Sequence, residues 1–349
     1  MKHFVFRILI FVTLFVFIKQ VIGLLAPYYW GNPWMASKIT YLEKNNDSLP
    51  NVFFFGSSRV YRQIDPTVFD DFYFRLTNKK KRSFNLGASA TFSPQTYYLY
   101  THFLDSQLSH NTELVFMELT SIDLISDDIL HQERTRYWLN VSDINFVLKS
   151  IIYHPDMEIS IKFKGVRHYI SSYMENIVSV DYFGKQILKK NNYNKEYIGP
   201  ENNGFYSYDD NLKNTKDSIV FNNLLNRKNS TKKDTSGLSI RASNSIKIRE
   251  KMERRNYDIT LNKMMSLIEL SEKKGIKLVF TLFPRNMDNE ISYLSELIPQ
   301  KNLLDLSNAN TFPELYYAEN SFDTGHLNKK GSKILTKILV QQYLNNSDN

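Results

Sequence analysis

The sequence predicts an α/β fold, a three-layer α/β/α sandwich around a five-stranded, mostly parallel, flavodoxin-like sheet. Five short apolar runs have the composition of strands, and several are continuous rather than alternating, as expected for strands buried on both faces. These runs are separated by segments of helical periodicity, which favours a parallel sheet covered on both sides. The predicted strands are Asn51–Phe55, Arg82–Leu86, Glu113–Leu119, Ile276–Phe283 and Leu303–Leu306.

Three helices are predicted around the last two strands. Ile246–Lys274 has apolar residues at near-helical spacing and predicts one long amphipathic helix, which Gly275 would close as a C-terminal cap. Glu290–Leu297 predicts a short helical turn, and Gly331–Leu344 predicts a final helix with one apolar stripe.

A long insertion is predicted between the third and fourth strands, because the distance is too great for a simple crossover. The insertion covers residues 130–245 approximately. Its first part, Asp143–Val180, is predicted to be partly helical. Its second part, Asn191–Ala242, is polar and poor in periodicity, and it predicts a long loop or a mobile cap.

Composition excludes several classes of site. The chain has 349 residues, of which 42% are hydrophobic, and it contains no cysteine, which excludes disulfides, thiolate zinc sites and cysteine nucleophiles. Its net charge of +8 is accounted for by the segment Lys185–Asn256, which contains 16 Lys and Arg and 8 Asp and Glu. These basic residues are diluted among Asn, Ser and Thr, so they predict a solvated face or contact with anionic glycan or lipid headgroups, and no nucleic-acid partner.

The first 30 residues predict a membrane signal. The basic segment Met1–Arg7 leads into Phe4–Ala26, which is long enough to cross a bilayer if Arg7 and Lys19 extend toward the headgroups. Basic residues ahead of an apolar stretch favour a cytoplasmic N-terminus and an exported domain, here residues 45–349. An uncleaved signal anchor is the first interpretation. A cleaved signal peptide and a buried helix of a soluble protein are the alternatives.

A serine lies directly after the first predicted strand, in the segment Gly56-Ser57-Ser58-Arg59. Ligand-binding and catalytic groups of open α/β sheets gather at the carboxyl ends of the strands. Gly56 would let the chain turn sharply and would leave room for a substrate acyl group. The alternative is that a serine at this place only caps the next helix.

A second motif, Asp323-Thr324-Gly325-His326, precedes the last predicted helix. A three-residue spacing on a turn can bring the carboxylate to Nδ1 of the imidazole, while Nε2 faces a nucleophile. The alternative is a turn aspartate, an incidental histidine, and Asn328 as the cap of the helix. The order Ser58, Asp323, His326 on one inferred sheet favours a catalytic triad.

With these motifs the sequence resembles the SGNH (GDSL-like) hydrolase family. The resemblance depends on Gly56-Ser57-Ser58 as the first block, on Asn85-Leu86-Gly87 as the glycine block, and on Asp323-Thr324-Gly325-His326 as the last block. Arg59 and the following Ile64-Asp65-Pro66 are similar to the membrane-anchored bacterial branch that handles cell-envelope polymers. The plan is also similar to that of the D-alanine-transfer proteins of teichoic acids.

The resemblance spans Asn51–Asn349 in outline and implies a role for each motif residue. Ser58 would be the nucleophile, His326 the general base, and Asp323 the carboxylate that orients the imidazole. The backbone N–H groups of Ser58 and Gly87 would donate to the oxyanion of the tetrahedral intermediate.

The third block departs from the family pattern. Where the family has G-x-N-D, with an asparagine that donates to the oxyanion, this chain has Glu118-Leu119-Thr120-Ser121-Ile122-Asp123. A hydroxyl of Thr120 or Ser121, or the side chain of Asn85, could replace that donor, and the sequence does not choose between them.

The resemblance implies a serine acyl-hydrolase or acyltransferase, without a cofactor or a metal, that transfers or removes O-acetyl or similar esters. Its expected substrate is an envelope polysaccharide or other acylated glycan, with Arg59 and Glu118 as predicted substrate contacts. The expected location is the bacterial inner membrane, single-pass, with the catalytic domain outside the cytoplasm beside other membrane proteins of polymer synthesis. The alternatives are a non-catalytic SGNH-like assembly protein of polymer biosynthesis and a lipase-like esterase.

Overall fold

The computed structural model describes residues 2–45, 49–122, 130, 132–179, 182, 184, 193–250 and 256–347. Five strands form one sheet in the order β2-β1-β3-β4-β5, and every neighbouring pair is parallel. The α/β fold with a flavodoxin-like parallel sheet is therefore confirmed. The strands are β1 Val52–Phe55, β2 Ser83–Asn85, β3 Leu114–Glu118, β4 Lys277–Leu282 and β5 Leu303–Asp305.

The chain divides into two compact units. One unit combines Met1–Ala36 with Asp123–Tyr193, and the other combines Ser37–Ile122 with Asn194–Asn349. The second unit contains the whole sheet and every residue of the candidate site. The insertion between β3 and β4 is therefore shared, since its first part belongs to one unit and its second part to the other.

The unit with the sheet has helices on both faces. Phe54 of β1 packs edge-on against Phe69, with ring centroids 5.2 Å apart, in the cluster that also contains Leu335 of the final helix. On the opposite face of β1, Phe53 and Phe55 both contact Phe103, with ring centroids 4.9 and 5.1 Å apart. Alternate side chains of a strand point to opposite faces, so this packing produces the three layers. The helices of this unit within the described residues are Ser58–Gln63, Pro66–Thr77, Ser93–Leu104, Tyr208–Asn214, Ser218–Lys233, Ser236–Glu250, Asp258–Lys273, Asn289–Leu297 and Lys329–Ser347, and Pro33–Lys44 begins at the boundary between the units.

The other unit begins with an apolar helix, Lys2–Leu25. Its stretch Lys2–Val21 has a mean hydropathy of 2.2, so by length and composition it could cross a bilayer. Helices over much of Asp143–Val180 confirm the partly helical prediction for that segment. The remaining helices described in this unit are Glu133–Arg136, Val141–Ile152 and Ile159–Val178.

The predicted loop over Asn191–Ala242 is wrong for the part that the structure describes, which begins at residue 193. Most of it is helical, including Ser218–Lys233, which Asp217 caps by accepting from the N–H groups of Ile219 and Val220. Only Leu224 and Thr231 of this helix are buried. A helix with so few buried residues has no apolar stripe, so its periodicity gave no signal.

The single long helix predicted over Ile246–Lys274 is also wrong. One helix ends at Glu250 and the next is Asp258–Lys273, while residues 251–255 lie outside the described part of the chain. Asn256 accepts from the N–H of Asp258 at 2.8 Å, a local turn that competes with helix continuation.

Candidate active site

Ser58 lies at the carboxyl end of β1, as the first residue of the helix Ser58–Gln63. The preceding residue, Ser57, is the helix cap, since its side chain accepts from the N–H of Arg59 at 3.2 Å. Capping is therefore done by Ser57 and not by Ser58. The Ser58 Oγ instead lies 2.9 Å from Nε2 of His326, across 268 residues of sequence.

The turn at Gly56 is held by Glu118 at the end of β3. A Cβ atom at position 56 would lie 2.6 Å from Cβ of Glu118 and 2.5 Å from Cγ2 of Val60, so only glycine fits this approach. Glu118 is 2% exposed, and its two oxygens accept from the N–H of Ser57 at 2.6 Å and from Arg59 at 3.3 Å. Glu118 therefore orients the serine turn, and Arg59 extends from it into the cavity described below.

Asp323 fixes the orientation of His326. Its Oδ1 lies 3.0 Å from Nδ1 of the ring and accepts from the N–H groups of Gly325 and His326, both at 2.8 Å. This geometry assigns the proton to Nδ1 and leaves Nε2 as an acceptor for the Ser58 hydroxyl. Burial opposes ionisation of Asp323, but the bond to His326 and the charge of Arg227 outweigh it and hold its pKa well below the ordinary value.

Two arginines that sequence reasoning missed support this pair. Arg227 pairs with Oδ2 of Asp323 and lies over the ring of Tyr208, whose edge-on contact with the His326 ring spans 4.9 Å between centroids. Arg285 is 2% exposed and donates to the carbonyl oxygens of Asp323 at 2.9 Å and His326 at 3.2 Å. Arg285 therefore holds the turn between Asp323 and His326 through its carbonyl oxygens.

Arg285 has unusual local properties. Its backbone has φ +71°, a conformation that L residues seldom adopt outside special turns. Burial lowers the pKa of Arg285 to about 10 and the charge of Arg241 lowers it too, although Tyr316 and Asp323 act in the opposite direction. Its guanidinium also donates to the carbonyl of Leu315 at 3.1 Å through Nε, and to Ser321 Oγ at 2.6 Å. These bonds hold a strained turn in one geometry.

The predicted oxyanion donors differ in availability. The N–H of Gly87 donates to Oδ1 of Asn85 at 2.8 Å, and Nδ2 of Asn85 donates to the carbonyls of Val60 and Ile64. The amide group of Asn85 is thus used to join the end of β2 to the helix Ser58–Gln63, called the serine helix below. Within the described residues, no acceptor bonds the N–H of Ser58, which remains available to a substrate oxygen.

Two residues of the third block, Thr120 and Ser121, follow β3 at the same edge of the sheet. Thr120 Oγ1 accepts from the N–H of Ser93 at 3.0 Å, and the side chain of Thr120 is buried. Ser121 is partly exposed. The role of either hydroxyl in binding an oxyanion stays a prediction.

A buried lysine supports the glycine block. Lys38 is fully buried and donates to the carbonyl of Gly87 at 2.6 Å, with its ammonium 4.1 Å from the centroid of the Tyr61 ring. Burial, together with the charge of Arg62, holds the pKa of Lys38 well below its ordinary value. Lys38 therefore holds the loop after β2 through the Gly87 carbonyl, while Asn85 accepts from the Gly87 N–H.

A cavity of about 880 Å³ opens beside His326 and Asp323. Five of its lining residues come from the helix Ser218–Lys233, and Arg241 comes from the helix Ser236–Glu250. It is lined by Arg59, Asn223, Asn226, Arg227, Ser230, Thr231, Arg241, Asp323, Thr324, Gly325 and His326. The second part of the basic insertion therefore faces the candidate site.

The arrangement has the geometry of a Ser-His-Asp triad. The distances of 2.9 Å from Ser58 to His326 and 3.0 Å from His326 to Asp323 allow the imidazole to accept the serine proton and the carboxylate to stabilise the imidazolium. No protein-family model matches the sequence, and no curated protein is significantly similar to it.

Proposed function

We propose that this protein is a serine acyl-hydrolase or acyltransferase that acts on O-acetyl or similar esters of a cell-envelope polysaccharide or other envelope polymer. The observation that carries the proposal is the chain of hydrogen bonds from Ser58 Oγ through His326 to Asp323, with distances of 2.9 and 3.0 Å. Such a relay activates a hydroxyl for attack on an acyl carbon. Since Ser57 supplies the helix cap, Ser58 has no structural duty that explains this contact.

The reaction begins when the Ser58 oxygen attacks the ester carbonyl and its proton passes to Nε2 of His326. The carbonyl oxygen becomes an oxyanion, to which the N–H of Ser58 donates. The tetrahedral intermediate collapses, the alkoxide leaving group takes the proton from His326, and an acyl-serine ester remains. Water or a sugar hydroxyl then gives its proton to His326 and attacks the acyl carbon. The second tetrahedral intermediate collapses, and the Ser58 oxygen leaves with the proton from His326, which restores both residues.

The proposal places the catalytic domain outside the cytoplasm on a single-pass anchor. The helix Lys2–Leu25 supports this placement by its length and apolar composition. The basic residues Lys2 and Arg7 near its start favour a cytoplasmic N-terminus. An anchor of this kind would keep the domain near nascent envelope polymers and near other membrane proteins of their synthesis.

A non-catalytic assembly protein of polymer biosynthesis is the second candidate. It is favoured by the third block, which lacks the family's asparagine, and by the bond that occupies the N–H of Gly87. A site with only one free oxyanion donor would lose much of its rate, because each donor typically contributes about 100- to 1,000-fold.

Acetate release separates the two candidates. We expect the full-length chain in a nonionic detergent to release acetate from an O-acetylated polysaccharide, or to transfer the acetyl group from an activated ester to a sugar acceptor. Free acetate and acetylated acceptor are both measured by chromatography. Failure to form either product from any acetyl ester, in a folded preparation, would support the assembly protein instead.

The pH dependence of the reaction follows from the state of His326. Burial lowers the pKa of His326 below its ordinary value of 6.5, with contributions from Arg59 and Arg227, although Asp323 acts in the opposite direction. A general base must be neutral, so the rate is lost as pH falls through this pKa. We expect the acidic limb of kcat/KM to have its midpoint below 6.5. A midpoint clearly above that value would contradict the burial of the base.

A further inference from the structure

We infer that the cavity beside His326 binds an anionic group of the substrate, either a carboxylate or a phosphate ester. This group would belong to the acylated sugar whose ester Ser58 attacks. This inference rests on the proposed function and names the class of its substrate. The cavity lining contains three arginines and one acidic residue, Asp323, among the described residues. Its other lining side chains are amides and hydroxyls, apart from Gly325 and His326.

The three arginines differ in their partners. Arg59 pairs with Glu118, and Arg227 pairs with Asp323. Arg241 is partly buried, and no carboxylate of the described residues forms a salt bridge with it. Its Nη1 donates to the carbonyl oxygen of Arg285 at 2.7 Å. The guanidinium has further donors that an anion could accept from.

The arginines also repel one another. Burial lowers the pKa of Arg241, and the charge of Arg59 lowers it further. The lining residues carry three positive charges and one negative charge, a net charge of +2. Glu118, which pairs with Arg59, reduces the net charge to +1. A partly desolvated cluster of like charges is costly unless an opposite charge occupies it. An anionic substrate group would supply that charge and would accept bidentate hydrogen bonds.

The uncharged lining fits the remainder of such a substrate. Asn223, Asn226, Ser230 and Thr231, on the helix Ser218–Lys233, present amide and hydroxyl groups to the cavity. Such groups match the hydroxyls of a sugar rather than the apolar chain of a lipid ester, since burying alkyl chains requires an apolar wall. An acidic or phosphorylated sugar unit therefore satisfies the cavity better than a neutral sugar or a fatty acyl ester.

Paired substrates test this inference on the full-length chain in a nonionic detergent. Two charged esters, an O-acetylated methyl glucuronoside and an O-acetylated methyl glucoside 6-phosphate, are each compared with the uncharged O-acetylated methyl glucoside. We expect kcat/KM for at least one charged ester to exceed that for the neutral ester about tenfold, a preference that added salt reduces. The two charged arms distinguish a carboxylate from a phosphate ester.

Arg241→Gln should lower the charged-to-neutral ratio of kcat/KM about tenfold, whereas Arg241→Lys, which keeps the charge but loses the bidentate donor pair, should lower it less. Arg75→Gln is the matched control, since Arg75 is exposed on the helix Pro66–Thr77. A wild-type ratio near one would overturn the inference. An equal loss with all substrates in Arg241→Gln would do the same, because it would assign Arg241 only to holding Arg285.

The outcome stays distinguishable from failure of the proposed function. If the wild-type chain neither hydrolyses these esters nor transfers their acetyl group to a sugar acceptor, the acyl-transfer proposal fails, and calorimetric titration with glucuronate and with inorganic phosphate tests the anion site alone. Binding that is lost in Arg241→Gln and kept in Arg75→Gln would support the anion site. Absence of binding by both anions would remove it.

Discussion

Replacing Ser58 with alanine should lower the turnover of acetyl esters about 10,000-fold or more, to the level of residual binding and oxyanion contacts. The hydroxyl of Ser58 is the atom that would form the acyl-enzyme, and no other hydroxyl is bonded to Nε2 of His326 in the described residues. The measurement is steady-state hydrolysis of 4-nitrophenyl acetate by full-length chains in detergent, compared at equal folded concentration.

Ser57→Ala provides the matched control for Ser58→Ala. Ser57 caps the serine helix through its bond with the N–H of Arg59, so its loss should lower the free energy of unfolding by about 1 kcal/mol. The triad atoms are retained in that variant, and turnover should remain readily measurable. Equal loss of activity in both variants would show that the turn, and not the hydroxyl of Ser58, is what matters.

Replacing Asp323 with asparagine should lower kcat roughly 10,000-fold while the fold is kept. The carboxylate accepts from Nδ1 of His326, from two backbone N–H groups and from Arg227. An amide has one acceptor oxygen and two N–H donors, so it cannot satisfy all of these donors. If the amide nitrogen faces Nδ1, the ring takes the wrong tautomer and Nε2 carries a proton instead of accepting one.

The variant Asp71→Asn is the control for that substitution. Asp71 is exposed on the helix Pro66–Thr77. The substitution Asp71→Asn makes the same change of a carboxylate to an amide. Circular dichroism and thermal unfolding should be close to wild type for Asp71→Asn, and its kcat should be unchanged. An Asp323→Asn chain with near wild-type kcat would mean that His326 does not need this carboxylate as its orienting partner.

The strands were predictable because burial on both faces produces continuous apolar runs. Each observed strand lies within its predicted run, as Val52–Phe55 lies within Asn51–Phe55. Positions at strand ends are equally predictable, since the carboxyl ends of parallel strands meet at one edge. Ser58 could therefore be assigned to that edge from the sequence alone. The order Ser58, Asp323, His326 on one inferred sheet favoured a catalytic triad, but the sequence could not give the 2.9 Å distance between Ser58 Oγ and His326 Nε2.

The supporting residues could not be predicted, because their partners are remote in sequence. Arg227 meets Asp323 across 96 residues, and Arg285 meets the same turn across 38. Neither arginine has a neighbouring motif. The insertion helices gave no periodic signal either, because the helix Ser218–Lys233 buries only two residues and depends on its cap and on tertiary contacts.

Labelling with a fluorophosphonate tests most directly whether Ser58 is an activated nucleophile. The reagent reacts with serines whose hydroxyl is deprotonated by a neighbouring base, and peptide mass spectrometry locates the modified residue. We expect one modified serine, Ser58, in the wild-type chain, and we expect the modification to disappear in His326→Ala. A folded chain that remains unlabelled, or that carries the label on a different serine, would contradict the proposed triad.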